Sequence, residues 1–211
     1  MKKELILFDN DGILVETEQW FYQANKEVLE SAGISLPIDD YMQIMVRGAS
    51  ALDLLKGRYT ADEIEKFRQN RIRRYQELLL LENLEIPGVL ETLARLRPQF
   101  KMAIVTTSMP DDFDLIHRDG HIISFMDKIF TRRDYRYSKP HPEPYLTALD
   151  YFTVPAEKAI VIEDSERGLK SALAAKIDCI IIKNKFTESQ NFSGALQILE
   201  SIIELPDLLN R

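Results

Sequence analysis

The chain has too little of several things to fit some common protein classes. One of its 211 residues is a cysteine. That residue, Cys179, can form no internal disulfide, and its place in the apolar run Cys179-Ile180-Ile181-Ile182 suits a buried structural thiol in a reducing cytoplasm. No apolar stretch approaches the roughly 18 residues that a membrane span needs. Positive charge is also short: 27 Lys and Arg against 34 Asp and Glu leave a net charge of −7. That balance argues against nucleic acid or an anionic membrane as the main partner, although a local cationic pocket can still take an anionic substrate. Internal repeats and low-complexity segments are missing as well. Met1-Lys2-Lys3 ahead of Leu5 starts like a signal peptide, but Asp9 and Asp11 cut the apolar run too early for one. What remains is a globular balance, 45% hydrophobic and 29% charged, in a chain long enough to bury a full core as one domain or two small ones.

The most informative stretch is Leu5-Ile6-Leu7-Phe8 followed by Asp9-Asn10-Asp11-Gly12. Four apolar residues without helical spacing read as a buried strand. In extended chain, residues two apart point to the same side, so Asp9 and Asp11 can converge just past the strand end. Gly12 permits the sharp turn by which the chain leaves. Two carboxylates that close repel each other unless a cation lies between them or one takes a proton. Oxygen ligands of this kind suit Mg2+, and a carboxylate can serve as nucleophile or acid/base. Taken alone, the same four residues also suit a solvated turn.

Short apolar runs recur, each ending in polar groups. Met102 to Val105 precedes Thr106-Thr107-Ser108, Ala159 to Ile162 precedes Glu163-Asp164-Ser165, and Cys179 to Ile182 precedes Lys183. Lys128-Ile129-Phe130 is a weaker candidate. Helical patterns lie between them, over Val89 to Leu96, Pro144 to Tyr151 and Gly168 to Ala175. This alternation predicts an α/β fold, a parallel sheet wound on both faces, with ligands beyond the carboxyl ends of its strands. Residues 16–86 differ. Trp20, Phe21, Ala24, Val28 and Leu29 have helical spacing up to Gly33, and Thr60 with Glu63 forms a capping-box pattern ahead of a long helix reaching about Leu81. The segment reads as a helical insertion in a core made of residues 1–15 and 87–211. Its basic run, Arg68, Arg71, Arg73 and Arg74, reads as a solvated helix face ahead of an anion site.

Phe8-Asp9-Asn10-Asp11-Gly12-Ile13-Leu14-Val15-Glu16-Thr17-Glu18 resembles the first motif of the haloacid dehalogenase (HAD) superfamily, D-x-D-G-x-L-x-D/E-T/S. Ile104-Val105-Thr106 is similar to the second motif, Lys139-Pro140 to the third, and Ile162-Glu163-Asp164-Ser165 to the fourth. All four occur in order, and the resemblance covers nearly the whole chain. It implies a Rossmann-like core whose insertion matches the C1-type cap of the β-phosphoglucomutase and phosphoglycolate phosphatase branch.

By that resemblance Asp9 is the nucleophile that forms an aspartyl-phosphate, and Asp11 is the acid/base that protonates the leaving oxygen and then takes a proton from water. Thr106 and the backbone N–H of Thr107 would hold phosphoryl oxygens, although a strand-end threonine is also a common turn former. Lys139, held by the prolines at 140, 142 and 144, would offset the charge of phosphate and Asp9. Asp9, Asp164 and the main-chain carbonyl of Asp11 would hold Mg2+, with Glu163 one layer out, since neighbouring residues of an extended chain face opposite ways. Arg47, before Gly48-Ala49-Ser50, would reach the substrate from the cap; a solvated loop arginine reads almost as well. His141 reads as a loop-packing residue, and Trp20 and Phe21 as core. Mutases of the branch carry a histidine where this chain has Phe21 and an arginine where it has Ala51, and the family often has glycine where this chain has Lys176.

The expectation is a cytoplasmic, Mg2+-dependent phosphatase of a small phosphorylated metabolite, monomer or dimer, with no nucleic-acid or membrane partner. A β-phosphoglucomutase-like phosphomutase is the alternative, and a non-catalytic ligand-binding paralogue the third reading.

Overall fold

The computed structural model of the protein describes residues 2–209. Along the chain, β1 (Leu5–Phe8) is followed by three helices, α1 (Glu18–Ser31), α2 (Ile38–Val46) and α3 (Ala61–Leu81). Then come α4 (Val89–Leu96), β2 (Lys101–Val105), α5 (Pro110–Ile116), β3 (Lys128–Phe130), α6 (Glu143–Phe152), β4 (Ala159–Glu163), α7 (Glu166–Ala174), β5 (Asp178–Ile182), β6 (Gln197–Leu199) and α8 (Leu205–Leu209). The chain divides into two compact units. One holds the residues up to Glu16 and from Glu85 onward, the other Thr17–Leu84.

The first unit is a six-stranded sheet in the order β3-β2-β1-β4-β5-β6. Every neighbouring pair is parallel. All four residues of β1 and all five of β4 are buried, which is why these strands read as unbroken apolar runs: helices cover both faces of the sheet. Register then positions the site. Phe8 lies opposite Ile104 on β2 and Ile162 on β4, so Asp9, Val105 and Glu163 fall level at the carboxyl end. The Asp9 amide donates to the Ile162 carbonyl at 2.8 Å, and the Thr106 amide to that of Phe130 at 2.9 Å.

Three expectations need correcting here. The helix expected from Gly168 starts at Glu166, because the Ser165 hydroxyl caps it by accepting from the Gly168 amide at 3.1 Å. The helix expected from Pro144 starts one residue earlier and ends one later. A sixth strand, β6, was not expected. It is a three-residue edge strand with two exposed side chains and so carries almost no apolar run.

The second unit is helical. Thr60 and Glu63 form the capping box of α3, the Thr60 hydroxyl accepting from the Glu63 amide at 3.3 Å and the Glu63 carboxylate from the Thr60 amide at 2.8 Å. Helices α1 and α3 pack through Phe21 and Tyr75, whose rings meet edge to face at 5.3 Å. Phe21 also lies beneath the Arg71 guanidinium at 4.7 Å. Arg68 and Arg74 of the basic run are paired with carboxylates of this same unit, while Arg73 is exposed. Among the described residues no helix is long and apolar enough to cross a membrane.

Candidate active site

Lys139 is the hub of the carboxyl end of the sheet. Its side chain is 2% exposed, and its ammonium donates to Asp9 Oδ1 at 2.8 Å, Glu163 Oε1 at 2.7 Å and the Val105 carbonyl at 2.8 Å. An ammonium has three protons, so these partners use them all. The Tyr145 ring lies 4.8 Å from the same nitrogen, and the Tyr145 hydroxyl donates to Glu163 Oε1 at 2.8 Å. Lys139 reaches the site from a loop whose Lys139–Pro140 peptide is cis.

Glu163 was expected to face away from Asp164, but the two carboxylates approach the same place. Ligand oxygens of Asp9, Glu163 and Asp164 lie within 4.8 Å of one another. Extended geometry ends at Glu163, the last residue of β4, so alternation no longer holds at Asp164. Glu163 is nonetheless occupied on both oxygens. Oε1 takes Lys139 and Tyr145, and Oε2 takes the Ser165 hydroxyl at 3.0 Å and the Asp164 amide at 3.2 Å. Room for it comes from Gly168, where a Cβ would stand 1.8 Å from the Glu163 carboxyl carbon. Gly12 does the same for Asp164. Its φ is +79°, and a Cβ there would fall 2.3 Å from Asp164 Oδ2 and 2.7 Å from Asn184 Nδ2.

Charge is unbalanced in this cluster. Burial, and then the neighbouring Glu163, push the Asp9 carboxyl up to about 7 against the pull of Lys139. Burial works against the Lys139 charge, but Asp9 and Glu163 outweigh it and hold the ammonium protonated. For Glu163 burial is the largest influence, yet Lys139 and the hydroxyl donors keep it below the usual carboxylate value. Three carboxylates around one ammonium, offering only oxygen, suit a hard divalent cation.

Asp11 is held on the other side. Ser108 Oγ donates to Asp11 Oδ2 at 2.7 Å, with Thr106 Oγ1 3.2 Å from the same oxygen and 3.0 Å from Ser108 Oγ. The Ser108 amide donates to Thr106 Oγ1 at 3.0 Å, and the Tyr135 hydroxyl to the Thr106 carbonyl at 2.5 Å. Between the two aspartates, Asn10 is fully buried, its Oδ1 2.7 Å from His117 Nε2.

Asp9, Asp11, Thr106, Lys139, Glu163 and Asp164 are thus gathered by the strand ends of one sheet. Thr107 follows Thr106 in the same loop, half-buried. Arg47 belongs to the helical unit, where it ends α2 and is exposed. His141 is half exposed; its Nδ1 accepts from the Glu143 amide at 3.2 Å and its carbonyl from Ser171 Oγ at 2.7 Å. Sequence reasoning missed Ser108, Tyr145, Asn184 and the Asn10–His117 pair. Ser108 had a usable signal, since it directly follows the Thr106-Thr107 pair at a strand end.

Residues 6–182 match the family model of the haloacid dehalogenase-like hydrolases. The chain belongs to that family. This hydrolase is 29% identical over 218 residues to protein CbbY of Cereibacter sphaeroides, with 97% of this chain and 95% of that one covered. It is 30% identical over 184 residues to the phosphorylated carbohydrates phosphatase of Thermotoga maritima, covering 84% and 83%. Among solved structures it is similar to CbbY of Rhodobacter sphaeroides in complex with phosphate, with a TM-score of 0.81, 27% identity and 96% of each chain covered. A second structure of that protein, in complex with xylulose-(1,5)bisphosphate, gives a TM-score of 0.82 at the same identity and coverage.

Proposed function

We propose that this hydrolase is a Mg2+-dependent phosphatase acting on a small phosphorylated metabolite, a sugar phosphate or similar, through an aspartyl-phosphate on Asp9. The observation that carries the reading is the pairing of the strand-end Asp9 with a buried Lys139, two residues from an Asp11 held by hydroxyls. Asp9 attacks phosphorus, and the bond from phosphorus to the leaving oxygen breaks as Asp11 gives that oxygen a proton. Water then attacks the same phosphorus, its proton goes to Asp11, and the bond to Asp9 breaks to release phosphate. The Thr106 hydroxyl and the Thr107 N–H receive phosphoryl oxygens, while Lys139 favours the ionised form of Asp9 against its burial and offsets the added charge. Asp9, Asp164 and the Asp11 carbonyl would hold Mg2+, with Glu163 behind them, and the cation would offset charge on the phosphoryl oxygens.

The unit 17–84 serves in this reading as a C1-type cap that excludes water during phosphoryl transfer, its exposed Arg47 meeting the distal part of the substrate. The sugar-phosphate class is supported by relatives named for phosphorylated carbohydrates and crystallised with a sugar bisphosphate. The cytoplasm and a monomeric or dimeric state remain part of the proposal.

The test is phosphate release from a panel of phosphorylated metabolites with Mg2+, with EDTA and Asp9→Asn as controls. Steady release that both controls abolish is expected. Isomerised product without release would replace the reading with a phosphomutase, and binding without turnover would replace it with a ligand-binding paralogue.

A further inference from the structure

We infer that Ser108 is the positioning residue of the acid/base, the group that keeps Asp11 aimed while Thr106 serves the substrate. The inference rests on the reading of Asp11 as acid/base and goes beyond it by naming what aims that carboxyl. Two hydroxyls, Ser108 Oγ and Thr106 Oγ1, reach Asp11 Oδ2, and counting their protons decides which of the two holds it more closely. The Ser108 amide donates to Thr106 Oγ1 at 3.0 Å, which fixes Thr106 Oγ1 as an acceptor on that side. Each hydroxyl has a single proton to give. Ser108 Oγ gives its proton to Asp11 Oδ2 at 2.7 Å, the shortest contact of the group. The Thr106 proton then has two weaker choices, Ser108 Oγ at 3.0 Å and Asp11 Oδ2 at 3.2 Å.

This arrangement divides the work. A phosphoryl oxygen arriving at the strand end can draw the Thr106 proton away, and Asp11 keeps its nearer partner. Fixing Oδ2 fixes the plane of the Asp11 carboxyl, and with it the direction in which a proton reaches the leaving oxygen. Thr106 is itself held in place, its carbonyl accepting from the buried Tyr135 hydroxyl. Ser108 is half-buried just past β2, so removing its oxygen leaves the core of the sheet untouched.

The experiment compares Ser108→Ala, Ser108→Thr and Asp11→Asn on two substrates, an alkyl phosphate and an activated aryl phosphate whose leaving group departs without a proton. A hydrogen bond to a charged group supports an expected loss of about 10-fold in the single-turnover rate of leaving-group release from the alkyl phosphate for Ser108→Ala. On the aryl phosphate that first-step rate should stay close to the parent, the half-saturating concentration should be unchanged on both, and Ser108→Thr should restore most of the rate. Equal losses of this first-step rate on the two substrates, or a rise in the half-saturating concentration with the rate preserved, would overturn the assignment, the second outcome making Ser108 a substrate contact. Asp11→Asn separates the two levels of the argument. If Asp11→Asn shows the leaving-group dependence and Ser108→Ala does not, the positioning role fails alone; if Asp11→Asn shows none, the acid/base reading itself falls.

Discussion

Lys139 in the sheet unit and Arg74 in the helical unit each contact two carboxylates. The distances are 2.8 and 2.7 Å for the lysine and 2.5 and 3.2 Å for the arginine. Geometry alone does not tell them apart. Solvent does: the Lys139 side chain is 2% exposed and its partners Asp9 and Glu163 14% and 0%, whereas Arg74 is 34% exposed and its partners Glu27 and Glu77 33% and 51%. A charge on α3 is hydrated whether or not its neighbours are present. At the strand ends each charge depends on the others, because water has been replaced by protein dipoles and counter-ions. Chemistry sits where that mutual dependence is greatest.

Substitutions that remove one cation at a time test the contrast. The largest effect is expected for Lys139→Met, which leaves Asp9 and Glu163 facing each other without their counter-ion. Urea unfolding of the metal-free protein should show a loss of about 3–5 kcal/mol, and adding Glu163→Gln to the same chain should recover part of it. A loss below about 1 kcal/mol would make Lys139 no different from a surface cation.

An intermediate effect is expected at His117, a buried group in the same sheet unit. Burial lowers its pKa from 6.5 to about 4, with Asp11 pulling weakly the other way. As pH falls below 6.5 the unfolded chain takes up the proton first, so stability drops until about pH 4 and then levels. At pH 5 the drop from this one group is about 2 kcal/mol. In His117→Gln the fall in unfolding free energy between pH 7 and pH 5 should be smaller by that amount. An unchanged slope would mean that His117 is hydrated in the folded state.

The smallest effect belongs to Arg74→Ala. Thermal or urea unfolding should shift by less than about 1 kcal/mol, and the shift should shrink further in high salt. A salt-independent loss comparable with that of Lys139→Met would erase the distinction between the two units.

Much of the sheet was legible because buried parallel strands leave unbroken apolar runs, as at Leu5–Phe8 and Ala159–Ile162. Edge strand β6 left no such trace, and short helices such as α5 and α8 offer too few turns for a period to emerge. At the site, Asp9 and Asp11 stood out because two carboxylates directly follow a strand, and Thr106, Glu163 and Asp164 also fell at strand ends, but their roles, and the choice of Lys139, came from the resemblance to the four family motifs. Tyr145 and His117 could not be found that way. Each sits on or at the end of a helix, and it matters only because the sheet brings Glu163 or Asn10 against it from far away in the chain. The direction of Glu163 was misjudged for a related reason, since strand alternation was extended one residue past the point where the strand ends.

The saturated ammonium of Lys139 has a consequence for traffic through the site. With all three of its protons committed to Asp9, Glu163 and the Val105 carbonyl, an incoming phosphate can gain a direct hydrogen bond from it only by evicting one of those acceptors. The exchange replaces one anion or dipole with another and so yields little net affinity, and inorganic phosphate gains no more from it on the way out than substrate did on the way in. In the proposed reaction Asp9, Glu163 and the Val105 carbonyl thus compete with the phosphoryl group for the Lys139 protons, which works against retention of released phosphate.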